Sequence, residues 1–325
     1  MPVIETRELR KDYGRIQALK GVDIAVERGE IYGLLGQNGA GKTTLVKVLL
    51  GIAHKTSGEA RLLGVPVGDT ATRARVGYLP EDHQFPGYHS GYSLLDFYGQ
   101  LHGLPRDDRR RKIPSVLERV GIAGRMHSAI KTYSKGMKQR LGIAQALLHD
   151  PEVLFLDEPT DGVDPVGRRE IRELMTGLKD EGRTIFLNSH LLSEVELVCD
   201  RVAILQKGER VREGTIAELT RSQGVFEVGL APGQEFPEAE VKAAGFATRP
   251  LGGDRSLWEV GLTAGQDIDP VVRLLHDKGL KLRHLVEKKA SLEEVFVALV
   301  AAAGPASDSD GRGGGRAVPV GGRDR

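Results

Sequence analysis

The stretch GQNGAGKTT, Gly36 to Thr44, decides the fold of this chain. The apolar run Ile31 to Leu35 precedes it and the pattern LVKVLL follows it, so the surrounding sequence predicts a strand, a glycine loop and a helix. The spacing G-x-x-x-x-G-K-T is typical of a loop whose backbone N–H groups, together with a helix N-terminus, bind phosphate oxygens. We therefore predict an α/β fold with a phosphate loop, defined here as residues 36–44.

Two side chains of the phosphate loop have specific expected roles. Lys42 would contact the β- and γ-phosphates of a nucleotide, and the Thr43 hydroxyl would coordinate Mg²⁺. A glycine-rich turn alone is commonly just a tight turn, so the prediction depends on the full spacing between a strand and a helix. The expected nucleotide contacts in the loop are Gly36, Asn38, Gly39, Ala40, Gly41, Lys42, Thr43 and Thr44.

Polar side chains follow two further apolar runs. Asp157 and Glu158 end the run Val153 to Leu156, and two adjacent carboxylates are costly to bury unless they have a role. Beside a phosphate loop, Asp157 would hold Mg²⁺ or its water shell and Glu158 would polarise the attacking water. His190 follows the next strand at the edge where open α/β sheets bind ligands, so it is a candidate partner of a γ-phosphate, although a lone histidine is usually structural.

Three other positions are candidate site residues whose roles the local sequence does not decide. Tyr13 lies in the polar segment Arg10 to Arg15, where its ring either packs on its own sheet or stacks on adenine. Ser134 is well placed as the N-cap of a helix with apolar residues at helical spacing. Gly136 weakens the first turn of that helix, which suggests close backbone approach to another group.

Composition excludes several classes of protein. Lys and Arg number 46 against 45 Asp and Glu, so charge gives no reason to expect nucleic acid as a partner. The single cysteine, Cys199, excludes an internal disulfide framework and a zinc site of several thiolates. No signal segment is evident, and no apolar stretch approaches the ~20 residues of a membrane-spanning helix. We expect a cytoplasmic protein whose membrane role, if any, comes through a partner.

Spacing predicts how the chain is divided. Lys42 and Asp157 are 115 positions apart, far more than a simple βαβ crossover needs. We therefore predict a helical subdomain at about residues 82–149, inserted in a nucleotide-binding domain of residues 1–221.

The sequence after residue 221 has a different composition. Residues 222–303 follow the order strand, helix, strand, strand, helix, strand, which predicts a small ferredoxin-like α+β domain. Its last helix presents one apolar face, which would be either core or a homodimer seam. Residues 304–325 are rich in Gly, Arg and Ser, so we predict a disordered tail.

Together these motifs resemble the ATP-binding-cassette ATPases over roughly residues 3–221. The resemblance implies a P-loop NTPase core with an antiparallel β subdomain and an inserted helical subdomain, ATP and Mg²⁺ as cofactors, and ATP hydrolysis. Further positions match the pattern of this family. Tyr13 matches the aromatic residue that stacks on adenine, and Asp164 matches the aspartate of the loop that touches the opposite subunit. His190 matches the switch histidine, Glu81 occupies the position of the magnesium-contacting glutamine, and Ser134 to Met137 match the signature sequence.

The resemblance also implies a homodimer in which the signature of one subunit closes over ATP held by the other, so Ser134 and Gly136 would serve a nucleotide across the interface. Two departures stand out: the signature has Lys135 and Met137 in place of glycine and glutamine, and Glu81 replaces a glutamine. Both variants look like the branch that powers two-component exporters of drugs, sodium or polysaccharide.

We therefore expect the ATPase subunit of a transporter, held on the inner face of the membrane by a separate integral-membrane permease. The expected docking surface lies near Glu81 to Tyr98, where Phe85, Tyr88 and Tyr92 would offer exposed aromatic contacts. The alternative is a soluble ATPase of the same fold acting in translation or DNA repair. Such proteins usually carry two cassettes, a long coiled coil or zinc cysteines, and this sequence has none of them.

Overall fold

The structure, a computed structural model, describes residues 2–221, 224–251, 256–263 and 265–302; the predicted tail 304–325 lies outside them. The strands are β1 (Ile4–Tyr13), β2 (Ile16–Val26), β3 (Ile31–Leu35), β4 (Ser57–Leu62), β5 (Val65–Pro66), β6 (Val76–Leu79), β7 (Val153–Asp157), β8 (Thr184–Asn188), β9 (Arg201–Gln206), β10 (Glu209–Thr215), β11 (Val225–Leu230), β12 (Ala247–Leu251), β13 (Leu257–Gly261) and β14 (Leu282–Lys288). The helices are α1 (Lys42–Leu49), α2 (Thr70–Arg73), α3 (Gly91–Leu101), α4 (Arg106–Arg119), α5 (Lys135–Leu147), α6 (Pro165–Asp180), α7 (Leu192–Val198), α8 (Ile216–Leu219), α9 (Glu238–Ala243), α10 (Asp269–Asp277) and α11 (Leu292–Ala302).

The central sheet brings the predicted site residues to one edge. Its strand order is β10-β9-β3-β8-β7-β6, and all neighbours are parallel except β9 and β10. Strands β3, β7 and β8 are buried along their whole length, as their continuous apolar runs require. Because these three strands are adjacent and parallel, the phosphate loop, Asp157 and Glu158, and the segment after Asn188 lie side by side at their carboxyl ends.

A second sheet is antiparallel, with the order β2-β1-β4-β5. Helix α1 buries Leu45, Val46 and Leu49 in the core that this sheet shares with β3. The segment Arg10 to Arg15, predicted as a polar turn, is mostly strand, because β1 continues to Tyr13 and only Gly14 and Arg15 form the turn to β2. Pairing across the strands, with Arg10 opposite Lys20, satisfies the backbone of these polar residues without burying their side chains.

Helices α3, α4 and α5 lie between β6 and β7 in the chain. They pack around a shared apolar core that includes Leu94, Leu95, Ile113, Leu117 and Leu141. The prediction of three exposed aromatic rings is wrong for two of them. Phe85 and Tyr92 are partly buried against this core, whereas the side chain of Tyr88 is 81% exposed.

The last strands form a separate antiparallel sheet with the order β12-β13-β11-β14. Helix α11 contacts α7 and α8 in addition to its own small unit. Its residue Leu292 is fully buried in the core of the larger unit, which contains the central sheet and the helical insertion. The backbone N–H of Leu292 donates to Glu196 Oε2 at 3.1 Å. Of the two alternatives for this helix, the structure supports core. Within the described residues, none of the helices combines the length and apolar character needed to cross a membrane.

Candidate nucleotide-binding and hydrolysis site

Two glycines of the phosphate loop are required by packing. A Cβ atom at Gly36 would lie 2.5 Å from the main-chain oxygen of Leu205, and one at Gly41, where φ is +105°, would lie 2.6 Å from that of Ala18. Gly39 has φ +80° and nothing within 4 Å of a Cβ position, so its backbone is open on that side. Among the residues that the structure describes, no side chain caps the N-terminus of α1 at Gly41. The first N–H groups of this helix are therefore available to phosphate oxygens.

Lys42 supplies a cation at this loop. Its side chain is largely buried, and Nζ donates to the main-chain oxygens of Gly36 at 2.6 Å and Gln37 at 3.2 Å. Burial lowers the pKa of Lys42, and the nearby carboxylates of Glu158 and Asp157 oppose that shift. The lysine thus places a positive charge near the acidic residues of the site.

Asp157 lies at the end of β7, beside Asn188 of β8. Burial raises the pKa of Asp157 to about 6, while a hydrogen bond from Asn188 Nδ2 opposes the shift and the negative charge of Glu81 adds to it. The Oδ1 atom of Asn188 is buried without a partner among the described residues. A carboxylate that is expensive to ionise and an unpaired amide oxygen are both suited to a nearby cation.

These residues fit Mg²⁺ held jointly by the protein and a nucleotide. Within the described ranges no group of three or more His, Cys, Asp or Glu side chains could hold a metal ion alone. Mg²⁺ commonly binds through one or two carboxylates, substrate phosphates and water rather than in an all-protein cage. Asp157, Glu81 and the Thr43 hydroxyl are the donors that would hold it here.

Glu158 is held rigidly at the same edge. Its Oε1 atom accepts the backbone N–H of His190 at 2.8 Å and lies 2.8 Å from His190 Nδ1, and its Oε2 atom accepts from Ser189 Oγ at 3.1 Å. The residue has φ +50°, a left-handed conformation that costs energy for a residue with a side chain. Its main-chain oxygen accepts from Gln139 Nε2 at 2.8 Å. Neither Ser189 nor Gln139 has a role that the sequence motifs predict.

Most of the predicted site residues, although neither Gly36 nor Asp157, line one cleft of about 890 Å³. Its lining includes Gln37 to Thr44 with Glu81, Glu158 and His190, and also Ile16 to Ala18 of β2. This volume is in the range of a small-molecule site. Tyr13 does not line the cleft; its ring is 46% exposed at the end of β1, with Lys11 Nζ 4.5 Å from the ring centre.

Three of the predicted site residues lie outside this cleft, at the N-termini of α5 and α6. Ser134 Oγ accepts the N–H of Met137 at 3.2 Å, which confirms the predicted N-cap of α5. Asp164 caps α6 by accepting the N–H of Gly167 at 2.7 Å. A Cβ atom at Gly136 would meet nothing closer than Val163 Cγ1 at 3.7 Å, so packing within the chain does not require this glycine. None of Ser134, Gly136 and Asp164 lines the cleft.

Comparison with known proteins identifies the family. The family model described as "ABC transporter" matches residues 19–161. An uncharacterized ABC transporter ATP-binding protein of Synechocystis sp. is 41% identical over 304 residues, which cover 91% of this chain and 84% of that protein. The chain belongs to the family of ABC transporter ATP-binding proteins.

Other members of the ABC transporter family agree with this assignment. The bacitracin transport ATP-binding protein BcrA of Enterococcus faecalis is 33% identical over 313 residues, 93% of this chain and 97% of that protein. The solved structure of cbiO1 from Clostridium perfringens, part of the ABC transporter complex cbiONQ, matches with a TM-score of 0.62 and 32% identity over 67% of this chain and 90% of that one. This ABC protein is therefore an ATP-binding and ATP-hydrolysing transporter subunit with a P-loop α/β fold, and a role in translation or DNA repair is disfavoured.

Proposed function

We propose that two copies of this ATPase sandwich two Mg²⁺·ATP. Each triphosphate is held by the phosphate loop of one copy and capped by Ser134 and Gly136 of the other. The observation that carries the proposal is the position of these two residues. They lie at the N-terminus of α5, outside the cleft of their own chain, and the space beside Gly136 suits a backbone that must approach an external group.

In this proposal Glu158 is the general base. Hydrogen bonds from Ser189 and the backbone of His190 orient its carboxylate toward the water that attacks the γ-phosphate, and Glu158 accepts the proton which that water loses. Lys42 and His190 stabilise charge on the γ-phosphate oxygens. Mg²⁺, held by Thr43, Asp157 and Glu81, would neutralise negative charge on the β- and γ-phosphates.

In the same proposal, the adenine base stacks on Tyr13. The ring is half-exposed at the β1–β2 turn, and Ile16, three residues later, lines the cleft. A base that stacks on this ring would extend the nucleotide from the phosphate loop toward the antiparallel sheet. Asp164 would contact the opposite copy next to the signature residues.

The partner that this clamp drives is a separate integral-membrane permease, and the direction of transport is export. The likeness over nearly the full length of a bacitracin transport protein supports this choice. The permease would hold the ATPase on the cytoplasmic face of the membrane and contact the segment from Glu81 to Tyr98, where Tyr88 is exposed. Residues 222–303 form an accessory domain of ferredoxin-like topology after the nucleotide-binding domain 1–221, and the strand order β12-β13-β11-β14 supports that topology.

The Glu158→Gln variant tests the dimer. The amide cannot act as a base, so turnover falls by at least about 100-fold while Mg²⁺·ATP stays bound and keeps the two copies together. Light scattering after gel filtration with and without ATP measures this association. Glu173→Gln, on the exposed side of α6, is the matched control and keeps wild-type turnover. A Glu158→Gln variant that binds ATP and stays monomeric refutes the proposal.

A further inference from the structure

Helix α5 donates two hydrogen bonds to the segment from Glu158 to Asp161 of its own chain. Lys135 Nζ donates to Asp161 Oδ2 at 2.6 Å, and Gln139 Nε2 donates to the main-chain oxygen of Glu158 at 2.8 Å. Lys135 and Gln139 are four residues apart, so they lie on the same side of the helix. The segment from Glu158 to Asp161 is itself a turn, closed by the N–H of Asp161 on the oxygen of Glu158 at 3.1 Å.

The loop is shaped to accommodate the lysine. At Gly162, where φ is +65°, a Cβ atom would lie 2.2 Å from Lys135 Cδ and 2.5 Å from its Nζ. Glycine at this position therefore both permits the left-handed backbone and leaves room for the lysine side chain. The hydrogen bond from Lys135 lowers the pKa of Asp161, as expected for a carboxylate that accepts from an ammonium group.

We propose that Lys135 is a positioning residue that links the signature turn, residues 134–137, to Glu158 of the same chain. Lys135 is flanked by Ser134 and Gly136, so any movement of this turn moves its backbone directly. Its side chain passes that movement to Asp161, and the turn from Asp161 to Glu158 passes it to the general base. The inference rests on the proposed function, in which the signature turn contacts the nucleotide held by the other copy.

The expected size of the effect follows from exposure. The side chains of Lys135 and Asp161 are 64% and 50% exposed, and an exposed ion pair contributes little to stability. Loss of the ion pair should therefore cost the chain little stability. Substitution of Lys135 is expected to change the rate of ATP hydrolysis rather than the folding of the chain. Loss of the pair lowers kcat by about fivefold, the ceiling for an exposed pair, and leaves the KM for ATP unchanged.

Four variants test the link. Lys135→Gln and Asp161→Asn each lower kcat, the double variant is no slower than either single variant, and Lys135→Arg restores kcat because it keeps the charge. Lys138→Gln, on an exposed position of the same helix, is the matched control and leaves kcat unchanged. Raising the salt concentration lowers wild-type kcat toward that of Lys135→Gln, because ions screen the exposed pair. A Lys135→Gln variant with wild-type kcat, or losses that add in the double variant, overturns the inference.

Association in the Glu158→Gln background separates this inference from the proposed function. When Lys135→Gln is added to that background and ATP-dependent dimers persist, the clamp is intact, and a reduced kcat of the single Lys135→Gln variant reports the link alone. Dimers together with an unchanged kcat overturn only the link. The absence of dimers with Glu158→Gln itself overturns the proposed function.

Discussion

The amino group of Lys42 donates to the main-chain oxygen of Gly36 at 2.6 Å, across the loop that both residues belong to. The loop therefore holds its own cation, and the buried carboxylates of Glu158 and Asp157 are close enough to favour its charged form. A cation fixed in this way loses less side-chain freedom when it binds a phosphate than a free surface lysine would.

Replacement of Lys42 by alanine should weaken ATP binding about 10- to 100-fold, because hydrogen bonds to charged groups contribute about 1.5–3 kcal/mol. Titration with a fluorescent ATP analogue measures the change. Lys47→Ala, on an exposed position of the same helix, controls for helix propensity and should bind as the wild type does. Equal affinity of the Lys42→Ala variant would exclude this lysine from the phosphate site.

Tyr13→Ala should weaken ATP binding by about 1–3 kcal/mol, the range for loss of an aromatic ring that stacks on a base. Tyr13→Phe keeps the ring and should bind normally. Competition by tripolyphosphate separates the base from the phosphates: its affinity should not change in Tyr13→Ala. A loss of affinity for tripolyphosphate equal to the loss for ATP would show that the ring acts on the loop and not on adenine.

Tyr88→Glu should uncouple the ATPase from its permease. The side chain is 81% exposed and lies outside the hydrolysis site, so basal ATPase activity should be retained. Stimulation of the ATPase by the reconstituted permease should be lost, because a carboxylate cannot replace an aromatic ring in an apolar contact. Tyr88→Phe is the conservative control. Full stimulation of the Tyr88→Glu variant by the permease would show that the docking surface does not include this segment.

A histidine pair outside the site should make the fold acid-sensitive. The rings of His102 and His149 stack with centroids 4.1 Å apart, and His149 Nε2 is 3.0 Å from the main-chain oxygen of Val76. Burial lowers the pKa of His149 from 6.5 to about 4, and the charge of His102 adds to the shift. The unfolded chain therefore takes up this proton at a higher pH than the folded chain does.

Stability from this source is complete above pH 6.5 and is lost progressively down to about pH 4, with a total on the order of 3 kcal/mol. Urea midpoints measured across this range should fall less steeply for His149→Gln than for the wild type. His54→Gln, at an exposed position, should follow the wild-type profile. Parallel profiles for His149→Gln and the wild type would contradict the prediction.

The sequence predicts the phosphate loop and the strands β7 and β8 because each depends on local patterns. An apolar run followed by polar residues indicates a buried parallel strand and its carboxyl end, which placed Asp157, Glu158 and His190 together. Gln139 was missed because its contact with the Glu158 main chain depends on how α5 packs against β7, and spacing along the chain does not encode that packing. A polar residue among apolar neighbours on a buried helix is the signal that could have identified it.

The exposure of the aromatic rings near the start of the helical insertion was predicted poorly from the sequence. Phe85 lies in a polar, proline-containing segment that is typical of a surface loop, and Tyr92 lies in the first turn of α3, yet both rings pack against the core of the helical insertion. Side-chain direction in such a segment depends on the neighbouring helices, so composition alone assigned it incorrectly.

Helix α11 belongs by sequence order to the small C-terminal unit and by packing to the larger one. A fragment that stops near residue 221 would lose Leu292, Phe296 and Leu299, and it would present the apolar side of α7 to solvent. Such a fragment would be prone to aggregate, and its poor behaviour could be mistaken for an intrinsic defect of the nucleotide site. Truncations meant to isolate the ATPase half are better designed with this helix reattached through a flexible tether.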